Sequence, residues 1–192
     1  GREGQMELPA KAESVDKEGQ SDGFVPEAFF RAEVLDGGFT RLVISLPPDR
    51  IETVHRAISA QMAPPFKVMY QQLTDRKSGQ LPRPISRVGV EIGLDRLLSA
   101  LEFYRKLIYY DGRHQLWIRG TDGSQLVLEE IGVMYLYPDD PSFRDVLEAQ
   151  GIGEGSGESM ATRDYIKVGF LSECDAEEHG LWQSLGMVEW AG

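Results

Sequence analysis

The 192-residue chain has little of what holds together small secreted domains or anchors a membrane protein. It has a single cysteine, Cys174, so an internal disulfide framework is excluded. It has no apolar run of about 18 residues, so we expect no membrane-spanning helix. It has no excess of cations, because 20 basic residues stand against 31 acidic ones, and the net charge of −11 argues against general nucleic-acid binding.

The length and the hydrophobic content of 41% indicate a globular protein. At about 100–200 residues per domain, 192 residues predict one domain with its own hydrophobic core. No cationic and then apolar opening segment indicates a signal peptide, so we expect a cytoplasmic protein. The alternative of an export signal removed before Gly1 stays open. A small single-domain architecture favours a bacterial origin.

The predicted domain organisation begins with a flexible acidic leader over residues 1–23. This segment has no aromatic residue and is rich in glycine, glutamate, lysine and serine, so it offers too little apolar surface to offset the entropy of ordering. Residues 24–192 are predicted to form a single α+β domain. Two parts of that fold, 39–137 and 138–192, are a possible subdivision.

Alternating periodicities predict the elements of the domain. Strands are expected at 39–46, 66–73, 87–92, 165–171 and 187–190. Aspartates at strand-to-helix junctions predict helix starts: Asp49 and Asp175 each precede a glutamate by three residues, as in a capping box, and Asp140 precedes Pro141. A further helix is expected to begin near Leu94.

An antiparallel meander of four strands is predicted in the middle of the chain. Residues 107–110 are predicted to be a strand, and Asp111-Gly112 is typical of a type I′ hairpin leading into 114–119. A second turn at 121–124 leads into strands at 125–128 and 131–137. The predicted fold class is therefore α+β: a mostly antiparallel sheet with helices packed on one face and a C-terminal helix–strand–helix–strand extension. A ferredoxin-like arrangement of the first part is one option.

The charge is distributed unevenly, which points to a binding surface. Residues 75–119 have a net charge of +4 and the rest of the chain −15. The loop at 74–87 contains two prolines, a glycine and four cations, and loops of this length are often functional. We expect it to bind a partner protein with an acidic surface, assisted by exposed aromatic residues. The candidate partner-binding residues are Arg76, Lys77, Arg83, Arg87, Arg113 and Trp117.

Catalytic candidates are few. Cys174 precedes a predicted helix N-terminus, which can lower the pKa of a thiol, but the neighbouring acids oppose ionisation. Asp111 and His114 could form an acid–base couple, with Glu129 as a further carboxylate. No His or Cys pair has the spacing of a metal site, so neither a metal nor a cofactor is expected.

Three functional hypotheses follow from these features. The leading one is a non-catalytic protein-binding module, such as an accessory, adaptor or immunity-type protein. The second is an enzyme with a dispersed site built from Asp111, His114 and Glu129. The third is a small-anion sensor that uses Arg83 and Arg87. The sequence gives neither the partner nor the oligomeric state.

Overall fold

The computed structural model describes residues 8–190. Its centre is an antiparallel sheet of eight strands, and a separate pair of strands forms a small second sheet. The ten strands in chain order are β1 (Ala12–Ser14), β2 (Phe29–Val34), β3 (Thr40–Ser45), β4 (Phe66–Gln72), β5 (Ile85–Ile92), β6 (His114–Arg119), β7 (Gln125–Leu128), β8 (Met134–Tyr137), β9 (Tyr165–Lys167) and β10 (Val188–Glu189). The spatial order in the main sheet is β10-β5-β4-β6-β7-β8-β3-β2, and β1 pairs with β9.

Within residues 8–190, five α-helices cover one face of the main sheet. They are α1 (Ile51–Gln61), α2 (Leu94–Phe103), α3 (Arg105–Tyr110), α4 (Pro141–Ala149) and α5 (Asp175–Ser184). All five contribute buried apolar side chains to one core cluster with inward-facing residues of the strands. In β3, Leu42 and Ile44 join this core, whereas Val43 between them packs into a smaller cluster on the opposite face. The predicted α+β class with an antiparallel sheet and helices on one face is confirmed.

The predicted strand at 107–110 and the hairpin after it are wrong. Residues 107–110 are the end of α3, and all four side chains are buried. A short apolar run fits a buried helix as well as a strand, so periodicity could not separate the two. Glycine is needed at position 112 because the backbone of Lys11 packs closely against it: a Cβ atom there would lie 2.5 Å from the carbonyl oxygen of Lys11.

One of the three predicted helix caps is confirmed. Asp140 precedes α4 and accepts a hydrogen bond from the backbone N–H of Ser142. Asp49 instead lies within a 3₁₀ turn at Pro48–Arg50, and α1 has no side-chain capping bond. Asp175 is the first residue of α5, and its carboxylate binds Arg76. A tertiary ion pair therefore replaces the local bond that the spacing predicted.

The predicted flexible leader is wrong for part of its length. Residues 1–7 lie outside the described residues, whereas Ala12–Ser14 form β1 and pair with β9. Lys11, Ala12 and Ser14 are buried. This segment has no aromatic side chain to bury, and it is held in place by strand pairing and by the buried polar contacts of Lys11. The segment from about residue 10 onwards thus belongs to the folded domain.

No helix between residues 8 and 190 is long and apolar enough to cross a membrane.

Candidate functional site

The predicted partner-binding residues do not form one surface. Arg76 and Arg113 are largely buried, with side-chain exposures of 6% and 11%. Lys77 and Arg83 are exposed on the loop between β4 and β5. Trp117 points to the face of the sheet opposite the helices, since its neighbours Leu116 and Ile118 join the helix-side core.

Buried charged side chains gather in one group, which also includes the half-exposed Asp175. We call it the ionic cluster: Lys11, Arg76, Asp111, Arg113, Asp175 and Glu178. Arg76 is its centre. Its Nη1 atom lies 3.3 Å from Asp111 Oδ2 and 2.9 Å from Asp175 Oδ1, and its Nε atom lies 3.2 Å from Glu178 Oε2. Asp111 and Glu178 are buried with the arginine and offset its charge, whereas the buried Nε and Nη2 atoms of Arg76 have no hydrogen-bond partner among residues 8–190.

Asp111 joins three separate parts of the chain within this cluster. Its side chain is fully buried and accepts hydrogen bonds from the backbone N–H groups of Arg113 and Leu171. Its backbone carbonyl accepts a hydrogen bond of 2.6 Å from Lys11 Nζ. Asp111, which the sequence predicts to lie in a hairpin turn, therefore connects the N-terminal segment with the start of β6 and with the segment before α5.

The pKa of Lys11 is lowered to about 7, because burial penalises the ammonium form more than Asp111 and Glu130 stabilise it. In the unfolded chain, the pKa returns to about 10.5, so the unfolded state binds more protons between pH 7 and 10.5. Stability therefore rises with pH in this window. We expect Lys11 to contribute a gain of about 2 kcal/mol between pH 7 and 9.

Lys11→Met tests this contribution, because the variant lacks the titrating amine. Urea unfolding of both proteins at pH 7, 8 and 9 should show their stabilities diverging in favour of the wild type as the pH rises. Parallel pH profiles for the two proteins would refute the assignment.

The catalytic candidates do not converge on one another. His114 is buried and stacks on Tyr70 with ring centroids 4.5 Å apart. Burial, with a smaller contribution from Lys11 and Arg76, lowers its pKa well below the usual range, so the ring is neutral. Glu129 is half-buried beyond the end of β7, where burial and Glu130 raise its pKa to about 7. Within residues 8–190, no hydrogen bond or ion pair joins Glu129 to Asp111 or His114.

Cys174 is fully buried in a 3₁₀ turn just before α5. Burial raises the pKa of its thiol to about 12, and Glu177 and Asp111 add to the shift. The expected effect of a helix N-terminus is therefore outweighed, and the group is a neutral thiol at physiological pH.

We expect native Cys174 to react with a thiol reagent such as dithionitrobenzoate at least a hundred times more slowly at pH 8 than the urea-unfolded chain. Absorbance of the released thionitrobenzoate measures both rates. Fast stoichiometric labelling of the native protein would contradict the buried, protonated state.

Arg87 belongs to a cleft at the end of the β4–β5 loop. Its guanidinium lies 3.6 Å from the centre of the Trp182 ring, and its Nη1 atom donates to Gln72 Oε1 at 2.7 Å. The charged groups that line this cleft are three cations and three carboxylates: Arg76, Lys77, Arg87, Asp75, Asp175 and Glu178. The balance gives no excess of positive charge, and Arg83 is not among the lining residues.

The open face of the main sheet contains a different feature, a groove of about 210 Å³ around Trp117. We call it the Trp117 groove. It is lined by Lys67, Met69, Val88, Trp117, Arg119, Gln125 and Trp190. Strand register explains the grouping: Lys67 is opposite Arg119 and Met69 is opposite Trp117, so the side chains of each pair project from the same face.

Trp117 is held in place by a chain of polar contacts. Its Nε1 atom donates to Gln115 Oε1 at 3.1 Å, and Gln115 Nε2 donates to Glu130 Oε2 at 2.7 Å. Trp190 at the other side of the groove is 57% exposed. The groove thus has one fixed and one exposed indole, with Met69 and Val88 adding apolar surface.

Two cations flank these apolar side chains. Lys67 and Arg119 are both exposed, and neither takes part in an ion pair with another residue of the 8–190 region. Lys67 Nζ lies 5.8 Å from the centre of the Trp190 ring. The groove is therefore positively charged on a chain whose net charge is −11.

Comparison with protein-family models, with curated proteins and with solved structures finds no significant match, so the site is interpreted from its geometry. Sequence reasoning identified Trp117 but missed Lys67, Met69, Val88 and Trp190, and counted Arg119 only as part of a basic region. The alternation of buried and exposed side chains along β4 and β6 indicates which residues share the open face of the sheet. The register that brings the strands together was not readable from the sequence.

Proposed function

We propose that this protein is a non-catalytic protein-binding module that binds an acidic segment of a partner protein in the Trp117 groove. The observation that supports this most strongly is the pairing of indole rings with two cations that have no ion-pair partner among residues 8–190. Tryptophan and arginine are enriched among the residues that contribute most to binding at protein interfaces.

The chemistry of the groove defines the partner segment. Trp117, Met69 and Val88 offer an apolar surface for one bulky apolar side chain. Lys67 and Arg119 at one end favour carboxylates beside that side chain. An extended segment with an apolar residue flanked by aspartate or glutamate fits both requirements.

The basic loop is the competing location for the same function. Lys77 and Arg83 are its exposed cations, whereas Arg76 is committed to the ionic cluster and Arg87 to Gln72 and Trp182. Among residues 8–190, Arg87 has no ion-pair partner either, but it is held against Gln72 and Trp182 in a cleft that also contains three carboxylates. Only Lys77 and Arg83 are therefore free to contact a partner, and no exposed tryptophan of the described region lies beside them. The groove combines charge with apolar surface, and we favour it for this reason.

The experiment is a selection from a random peptide library displayed on phage, followed by affinity measurements on the selected peptides by fluorescence anisotropy. We expect acidic peptides with an aromatic or branched apolar residue. Lys67→Glu/Arg119→Glu should weaken their binding at least tenfold, about 1.4 kcal/mol. The matched charge reversal on the loop, Lys77→Glu/Arg83→Glu, should change the affinity less than twofold.

Salt provides a second readout of the same contact. Affinity for the wild type should fall as NaCl increases from 50 to 500 mM, because the two cations are exposed and screened. Selection of peptides without acidic residues, or loss of binding in the loop variant alone, would contradict the proposal.

A further inference from the structure

The N-terminal segment forms part of the wall of a cavity that is open to solvent on one side and separate from the Trp117 groove. The cavity lies between β1, the loop at 21–26, the beginning of α1 and the turn between β7 and β8. Its walls are mostly apolar. The largest apolar side chains in them are Phe24, Val25, Leu46, Ile51, Ile131 and Met160.

The volume of this cavity is about 230 Å³. Protein interiors are close-packed and leave few voids larger than a water molecule. An engineered apolar cavity of about 150 Å³ in another protein stays dry and binds benzene. The space here is large enough for a ligand of that size, and one side of it is open to solvent.

The polar side chains deepest in the walls are already engaged elsewhere. Lys11 Nζ donates to the carbonyl oxygen of Asp111, outside the cavity lining. Ser14 Oγ donates to Asp22 and accepts from Arg163 Nε. A ligand therefore gains little from hydrogen bonding with these two groups, and its binding has to come from apolar contact.

We infer that this cavity binds one small uncharged apolar molecule, of the size of an aromatic ring or a short hydrocarbon chain. Val25 lines the cavity and is 62% exposed, so the cavity reaches the surface beside it. The first residues of the loop at 21–26 are held by a bridge between Ser21 and Val15 and by the ion pair of Asp22 with Arg163, so the open side at Val25 is the route of entry. This inference is independent of the function proposed for the groove.

The test is an NMR titration of the full chain with benzene and, as a charged counterpart of similar shape, benzoate. Benzene should produce saturable shifts of the methyl resonances of Ile51, Ile131 and Met160. Benzoate should bind at least ten times more weakly, because its carboxylate would lose hydration in an apolar space. Absence of saturable shifts up to the solubility limit of benzene would overturn the inference, as would shifts centred on Met69 and Val88.

Two filling variants locate the ligand. Ala12→Leu adds side-chain volume at the buried wall, and Val25→Phe adds it at the exposed wall, where folding is less at risk. Each should weaken benzene binding at least tenfold. Ala32→Leu is the matched control, because Ala32 is an exposed strand residue outside the cavity, and its affinity should stay within twofold of the wild type. Equal affinity in the filling and control variants would overturn the inference.

Discussion

Replacing Asp111 with alanine is expected to lower the free energy of unfolding by about 3–5 kcal/mol. The substitution leaves Arg76 and Arg113 without a carboxylate that is fully buried between them. It also removes the acceptor for the backbone N–H groups of Arg113 and Leu171. Each buried donor that loses its acceptor costs about 1–3 kcal/mol, so the loss of charge pairing and of hydrogen bonds act together.

Urea unfolding followed by circular dichroism measures this effect, with Asp145→Ala as the control. Asp145 is exposed on α4, and its replacement should change stability by less than about 0.5 kcal/mol. Asp111→Asn should fall between the two, because an amide oxygen can still accept hydrogen bonds but has no charge. A loss below 1 kcal/mol for Asp111→Ala would show that the ionic cluster does not hold these segments together.

Replacing Trp117 with alanine is expected to weaken binding of a selected acidic peptide about thirtyfold, which corresponds to about 2 kcal/mol. Trp117 supplies the fixed apolar wall of the groove, and its indole is oriented by Gln115. Trp117→Phe keeps an aromatic ring but loses this orientation, so we expect an intermediate affinity.

Phe103→Ala is the control for the loss of an aromatic side chain. Phe103 is 75% exposed on α2 and does not line the groove. Its replacement should leave peptide affinity unchanged within twofold. Fluorescence anisotropy measures all three variants, after circular dichroism has shown that each is folded. Equal losses in Trp117→Ala and Phe103→Ala would mean that the groove is not the binding site.

The fold class followed from patterns that depend on local physics. Periodicity predicted the strands β3 and β4, and the cap at Asp140 predicted the start of α4. The error at 107–110 had a definite cause: a fully buried apolar segment shows no polar face, so its period is invisible. The polar segment around Lys11 is predicted to be flexible for a different reason. It is ordered by tertiary contacts such as the hydrogen bond from Lys11 to Asp111, which composition does not show.

The candidate sites depended on long-range pairing, which the sequence did not reveal. Arg76 and Asp111 are 35 positions apart, and Arg76 and Glu178 are separated by more than half the chain. Several cations of the basic region are paired within the fold, among them Arg76 and Arg105, and their charge is not free at the surface as the sequence predicts. Lys67 was overlooked because it becomes part of a site only when β4 lies against β6.

The most direct test of the proposed function is the footprint of a selected acidic peptide on the protein, measured by backbone and methyl chemical-shift changes in NMR. We expect the largest changes at Lys67, Met69, Val88, Trp117 and Arg119, with little change in the loop at 74–84. A footprint centred on that loop, or on the cleft beside Trp182, would contradict the assignment of the Trp117 groove as the binding site.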